Sequence, residues 1–428
     1  MNMSEYQNKK DNTFCHLPWT QIELQTDGTF RACCRQVGKQ FHNYRELGVI
    51  TFPTEDALEK AWNSDSLRHL RRQFLKGIKP AACNNCWKEE EADIASLRIN
   101  MGHGREALTQ EEINNPSPIL LDLKLGTHCN LKCRICGPTI SSQWTTEAHK
   151  ETSRQWDYFD KSFVQHDRND TFINANKEML EQWLSNIKQI CVYGGETFMI
   201  PPYYELLDLC VESGHANHID LIFNTNGTHF NKKAAEQFKH FNMVLMLWSI
   251  DDLEHRFHYE RHPADFNVML DNIDKFDAII DKDVVITKVW TTINLHNVYY
   301  LPELVDFYAE HLSEKIELLD FGYVHEPLWF NIKVFPKAVK NIIAEKLLAH
   351  PGISVGNHNY ATDKSILNTR EHFVKVVNFM LSEDLYADHW DDFLEETQRA
   401  DKFRNENFES VFPELYELIQ GDWYQCKQ

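Results

Sequence analysis

From residue 119 onward, short apolar runs alternate with segments of helical periodicity, and this constrains the fold more than any other feature. Strands are expected at 119–125, 189–193, 219–224, 243–250, 284–293 and 316–323. Between them, 177–187, 204–213, 232–238, 266–280 and 304–312 carry apolar residues at helical spacing. Parallel neighbours need crossovers of a dozen or more residues, usually helical. The pattern therefore predicts an α/β class with a parallel sheet or partial barrel. Residues 331–428 read as mostly helical, and the acidic run from Glu383 to Glu396 as an amphipathic helix with a solvated face.

The segment before the alternation differs. Residues 19–31 predict a hairpin: Ile22 and Leu24 alternate with polar residues, and Asp27-Gly28 supplies the turn. A helix is expected over 54–77, stopped by Gly77 and Pro80, and Cys83-Asn84-Asn85-Cys86 comes next. Residues 101–118 are polar, end in Asn115-Pro116-Ser117-Pro118 and read as a linker. Residues 151–175 read as an irregular insertion. The expected division is 1–112, 113–330 and 331–428.

With 11 Trp, 15 Tyr and 26 Phe the chain has the apolar material for a large core, which excludes a disordered chain. No run reaches the roughly 18 apolar residues of a membrane span. The polar N-terminus lacks a secretory apolar run, so a cytoplasmic protein is expected. A formal charge of −20 argues against broad binding to nucleic acid or anionic membranes. In such a chain, eleven cysteines point to metal or catalysis before disulfides.

Cys129, Cys133 and Cys136 form a CxxxCxxC loop directly after the strand 119–125. Thiolates suit iron–sulfur clusters or zinc, and three of them are one ligand short of a closed structural zinc site. Zinc with a distant fourth ligand, or three buried thiols, also fits this spacing.

The loop and the strand ends after it resemble the radical S-adenosylmethionine (SAM) superfamily. Gly194-Gly195-Glu196 comes after the second strand like the family's GGE, and Asn224-Thr225-Asn226-Gly227 resembles its TNG. Ser249-Ile250-Asp251 resembles its SxD. Arg261 lies where relatives place a carboxylate-binding arginine, and Asn294 is a candidate ribose contact. The resemblance implies a partial (β/α)6 barrel in which Cys129, Cys133 and Cys136 hold a [4Fe–4S] cluster whose open iron binds SAM. It implies SAM contacts from Gly194, Gly195, Glu196, Asn226, Ser249, Asp251, Arg261 and Asn294. Turn chemistry is the alternative for Asn226 and Asp251.

Cys15, Cys33, Cys34, Cys83 and Cys86 offer a second ligand set. Adjacent residues in a strand point to opposite faces, so one of Cys33 and Cys34 with the other three makes four thiolates. Zinc is again an alternative from the ligands alone. Cys15-His16-Leu17-Pro18-Trp19, Asp27-Gly28, Cys33-Cys34, Trp62-Asn63-Ser64, Leu70-Arg71 and the Cys83–Cys86 pair are similar to SPASM and twitch domains. That implies one auxiliary [4Fe–4S] cluster, in a twitch-like domain that here precedes the barrel. Cys191 and Cys210 read as structural thiols. Cys426, near the C-terminus, is a weak candidate hydrogen donor.

The function implied is reductive cleavage of SAM to a 5′-deoxyadenosyl radical that abstracts hydrogen from a peptide or protein side chain. The outcome would be oxidation, a crosslink or epimerisation, with a flavodoxin or ferredoxin as reductant. Dehydrogenation or rearrangement of a small metabolite is the enzymatic alternative. A non-enzymatic iron–sulfur electron-transfer protein or sensor is the other.

Overall fold

A computed structural model describes residues 13–36, 56–91, 96–102, 108–150, 171–355 and 367–423. Cys426 and most of the expected insertion lie outside the described residues. The chain divides into two compact units. The first comprises 1–128, 160–223 and 236–244; the second comprises 129–159, 224–235 and 245–428.

In the first unit, β1 (Gln21–Leu24) and β2 (Phe30–Arg31) form the expected hairpin, with Glu23 opposite Arg31. β3 (Leu120–Lys124), β4 (Gln189–Tyr193) and β5 (Asp220–Thr225) continue the sheet in the order β2-β1-β3-β4-β5. β1 pairs parallel with β3, β3 with β4, and β4 with β5. The N-terminal hairpin thus extends the parallel sheet instead of standing apart from it, which hydrophobic periodicity does not reveal. One face of these strands is apolar. Leu24, Leu121, Leu123, Ile190 and Val192 are fully buried there, as period-two side-chain alternation requires.

The expected single helix over 54–77 is two, Ala57–Trp62 and Asp65–Leu75. Ser64 sits between them as an N-cap, its hydroxyl accepting from the Leu67 amide, and this local bond outcompetes helix continuation. Arg71 of the second helix donates to the Pro18 carbonyl at 2.7 Å and lies over the Trp62 ring. Those contacts tie the helical pair to the segment that carries Cys15.

In the second unit, β6 (Met243–Ser249), β7 (Val285–Ile293) and β8 (Leu318–Tyr323) lie side by side in that order, β7 and β8 parallel. The described residues from 337 onward are mainly helical, in Lys337–Ala349, Thr369–Leu381, Tyr386–Arg404 and Pro413–Trp423. The acidic amphipathic segment is thus longer and starts later than expected. Val289, Leu301, Ile343, Phe393 and Phe412 are fully buried, so the C-terminal helices belong to this unit's core.

Candidate active site

The three-cysteine loop begins five residues after β3 and is held by bonds to its own backbone. The Lys132 and Arg134 amides donate to the carbonyls of His262 and Glu260 at 2.7 and 2.8 Å. Trp144 Nε1 donates to the Cys133 carbonyl, and the Ser141 hydroxyl to that of Leu131. Arg134, between Cys133 and Cys136, is buried over the Tyr259 ring. Its Nη2 lies 2.6 Å from both Asp401 Oδ1 and Glu406 Oε2. Carbonyls and the intervening arginine thus anchor the loop to its surroundings.

No disulfide engages Cys129, Cys133 or Cys136. Burial, and then the charge of Cys133, pushes Cys136 up to about 12. Unliganded, the thiol is a neutral acid; a soft metal centre would deprotonate it. Donors already face the sulfurs. Asn226 Nδ2 is 3.8 Å from Cys129 Sγ, and Arg261 Nη1 is 4.0 Å from Cys133 Sγ. N–H groups aimed at sulfur suit thiolates that carry negative charge, and this donor set fits an iron–sulfur cluster.

The other expected SAM residues fall into groups. Gly194 and Gly195 form the turn after β4. Gly194 has φ +125°, and a Cβ there would stand 2.5 Å from the Gly126 carbonyl oxygen. A Cβ on Gly195 would stand 2.2 Å from that of His128. Only glycine allows this approach of backbone to backbone. Glu196 is buried, its amide donating to His128 and its carboxylate accepting from the Phe198 amide. Asn226 is fixed by Asn130, whose Oδ1 accepts from Asn226 Nδ2 at 3.0 Å. Ser249 ends β6 and is partly exposed. Arg261 and Asp251 are both buried and form an ion pair of 2.7 Å. Asn294 is fully buried, its amide donating to Glu260 Oε2 at 2.6 Å and to the Thr292 carbonyl.

The N-terminal cysteines also separate. Cys15, Cys33, Cys83 and Cys86 line one cavity with Leu17, Phe74 and Arg98. Burial raises Cys15 and Cys33, and the charges of the other thiols in the group raise them further. Four thiols around one space are the donor set of a soft metal centre, so these residues fit an iron–sulfur cluster. Arg98 closes the cavity's side, bonded to Glu90 and to the Phe14 carbonyl and lying over Trp87. Cys34 takes no part in this cavity. Burial pushes it up to about 12, with a further push from the charges of Asp122 and Glu23.

That last contact exposes a group the motifs do not signal. Glu23 and Asp122 stand opposite each other on β1 and β3, with Cys191 next in register on β4. Glu23 is fully buried and Asp122 is 4% exposed. Burial, and then Glu23's charge, pushes Asp122 up to about 7. The only sequence signal was an acidic residue in the middle of each of two short apolar strands.

Residues 123–308 match the model of the radical SAM superfamily, and residues 15–87 match an iron–sulfur cluster-binding domain. In this chain the match to the iron–sulfur domain precedes the match to the radical SAM superfamily. No curated protein matches it in sequence. Among solved structures it is similar to Streptococcus suis SuiB bound to S-adenosylmethionine, at 14% identity and a TM-score of 0.37, over 64% of this chain and 60% of that one. It is also similar to native anSMEcpe with bound AdoMet, at 17% identity and a TM-score of 0.35, over 54% and 57%. A third similarity is to TYW1 with a lysine-pyruvate adduct, at 11% identity and a TM-score of 0.31, over 55% and 75%. The chain thus spans about 60% of the length of the first of these structures. Among the described residues, no helix is long and apolar enough to cross a membrane.

Proposed function

We propose that this radical SAM chain is an enzyme with two [4Fe–4S] clusters that acts on a peptide or protein side chain. The observation that carries the reading is the sorting of eight cysteines into a three-thiol loop facing N–H donors, a four-thiol cavity, and Cys34 outside both. A cluster held by Cys129, Cys133 and Cys136 would supply the electron for reductive cleavage of SAM and so the means of hydrogen abstraction from substrate.

The chain's own residues bind and orient. Cys129, Cys133 and Cys136 are the ligands of the first cluster, and Asn226 and Arg261 stabilise the charge on their sulfurs. Gly194 and Gly195 let main chain approach the cofactor, and Glu196 accepts from its ammonium group. Ser249 is the ribose or carboxylate contact. Asp251 holds Arg261 in place, and Asn294 organises Glu260 from within. Cys15, Cys33, Cys83 and Cys86 hold the auxiliary cluster. A flavodoxin or ferredoxin supplies the electron. The peptide assignment rests on the iron–sulfur domain, whose relatives often modify peptides.

The test is anaerobic reduction of cluster-reconstituted enzyme with SAM. Formation of 5′-deoxyadenosine that is lost in Cys133→Ala is the expected result. No 5′-deoxyadenosine from the wild-type chain contradicts the reading.

A further inference from the structure

The polar face of β1, β3 and β4 is built differently from its apolar reverse. Glu23, Asp122 and Cys191 stand in one register row across the three strands, and Lys124 and Tyr193 form the row above. Neighbouring parallel strands are ~4.8 Å apart, so the two carboxylates are held close together. Lys124 Nζ reaches Glu23 Oε1. Glu23 Oε2 and Asp122 Oδ1 are buried and accept no hydrogen bond among the described residues. The row above is more open. Lys124's side chain is 21% exposed.

A buried carboxylate without a partner is costly, and a fold with no use for one fills the place with an apolar side chain. The reverse face of the same strands does that at every position. Lys124 engages Glu23 Oε1, which leaves Glu23 Oε2 and Asp122 Oδ1 without a donor among the described residues. What the site lacks is a group with N–H donors for these two carboxylate oxygens, and a cationic donor makes the strongest such bonds. A divalent cation suits the place less well, because the Lys124 ammonium already occupies one carboxylate. Tyr193 leads directly into Gly194-Gly195-Glu196, so the pair lies two or three residues below the proposed cofactor turn, roughly 7–10 Å along the strand.

We propose that Glu23 and Asp122 form the subsite that receives a cationic group of the substrate, a protonated amine or a guanidinium. This rests on the reading of the chain as an enzyme and names the chemistry its substrate must carry. The cation is carried by a lysine or arginine side chain of a peptide or by a small free amine, and the group it offers to the carboxylates is the same.

The test measures binding to cluster-reconstituted enzyme without reductant, so it does not depend on SAM cleavage. The probes are N-acetyl-lysine methylamide, its uncharged isostere N-acetyl-norleucine methylamide, and butylamine. The lysine probe is expected to bind on the order of tenfold more tightly than the norleucine probe. Asp122→Asn and Glu23→Gln are each expected to remove most of that preference, and Asp122→Glu to restore part of it. Tighter binding of the lysine probe than of butylamine assigns the subsite to a peptide, and the reverse assigns it to a small amine. Equal binding of the lysine and norleucine probes, or a preference that persists in folded Asp122→Asn and Glu23→Gln, overturns the proposal. Its failure leaves the 5′-deoxyadenosine result standing, and a negative 5′-deoxyadenosine result leaves this binding measurement interpretable.

Discussion

Arg261 and Asp251 form a buried ion pair of 2.7 Å, and the same guanidinium reaches to 4.0 Å from Cys133 Sγ. The arginine is therefore oriented from inside the chain while it faces the cysteine loop. Removing one partner of such a pair leaves the other buried and uncompensated. Asp251→Asn is expected to lower unfolding free energy by about 3 kcal/mol. Urea unfolding of the anaerobic holoenzyme checks this, and an unchanged midpoint contradicts it.

Glu406 sets a pH dependence. Burial opposes its ionisation, but the hydrogen bond from His262 and the charge of Arg134 outweigh burial and hold it below the ordinary 4.5. A group whose folded value is depressed contributes stability that is complete above its unfolded value and is lost as pH falls through the folded one. The contribution is therefore full above about 4.5 and lost at more acid pH. In Glu406→Gln this limb disappears. Urea unfolding of the two proteins across the acid range checks it: their difference in stability is expected to narrow as pH falls below that value.

Gly195 has no room for a side chain, because a Cβ would press into the His128 carbonyl. Gly195→Ala displaces the turn from the segment 126–128 that leads into the cysteine loop. SAM affinity is expected to fall on the order of tenfold or more, with far-UV circular dichroism unchanged. Equilibrium dialysis with labelled SAM measures it, and wild-type affinity contradicts the assigned role of the turn.

Much of this was legible because it is local. Period two marks β4 at Gln189–Tyr193, where the run of apolar residues predicts it, and Asp27-Gly28 marks the hairpin turn. Cysteine spacing needs no fold to be read. The long-range pairings were not legible. Nothing in Gln21–Leu24 announces that it lies parallel to Leu120–Lys124, because the residues between them do not encode the register. Glu23 and Asp122 consequently read as two isolated acids until the strands are placed side by side. Nothing local to Asp401 or Arg404 in the C-terminal helix indicates what they bind. Their partners, Arg134 and Glu147, lie more than 250 residues earlier. Cys33 and Cys34 could not be told apart, since adjacency says only that the two thiols diverge. The cavity that admits one of them is formed by residues up to Arg98.

Iron content tests the two-centre account most directly. Anaerobically reconstituted wild-type chain is expected to hold about eight irons. Cys33→Ala is expected to lower that to about four while the SAM-dependent signal of the remaining cluster persists, and Cys34→Ala to leave about eight. About four irons in the wild-type chain, or loss of a cluster in Cys34→Ala with retention in Cys33→Ala, contradicts it.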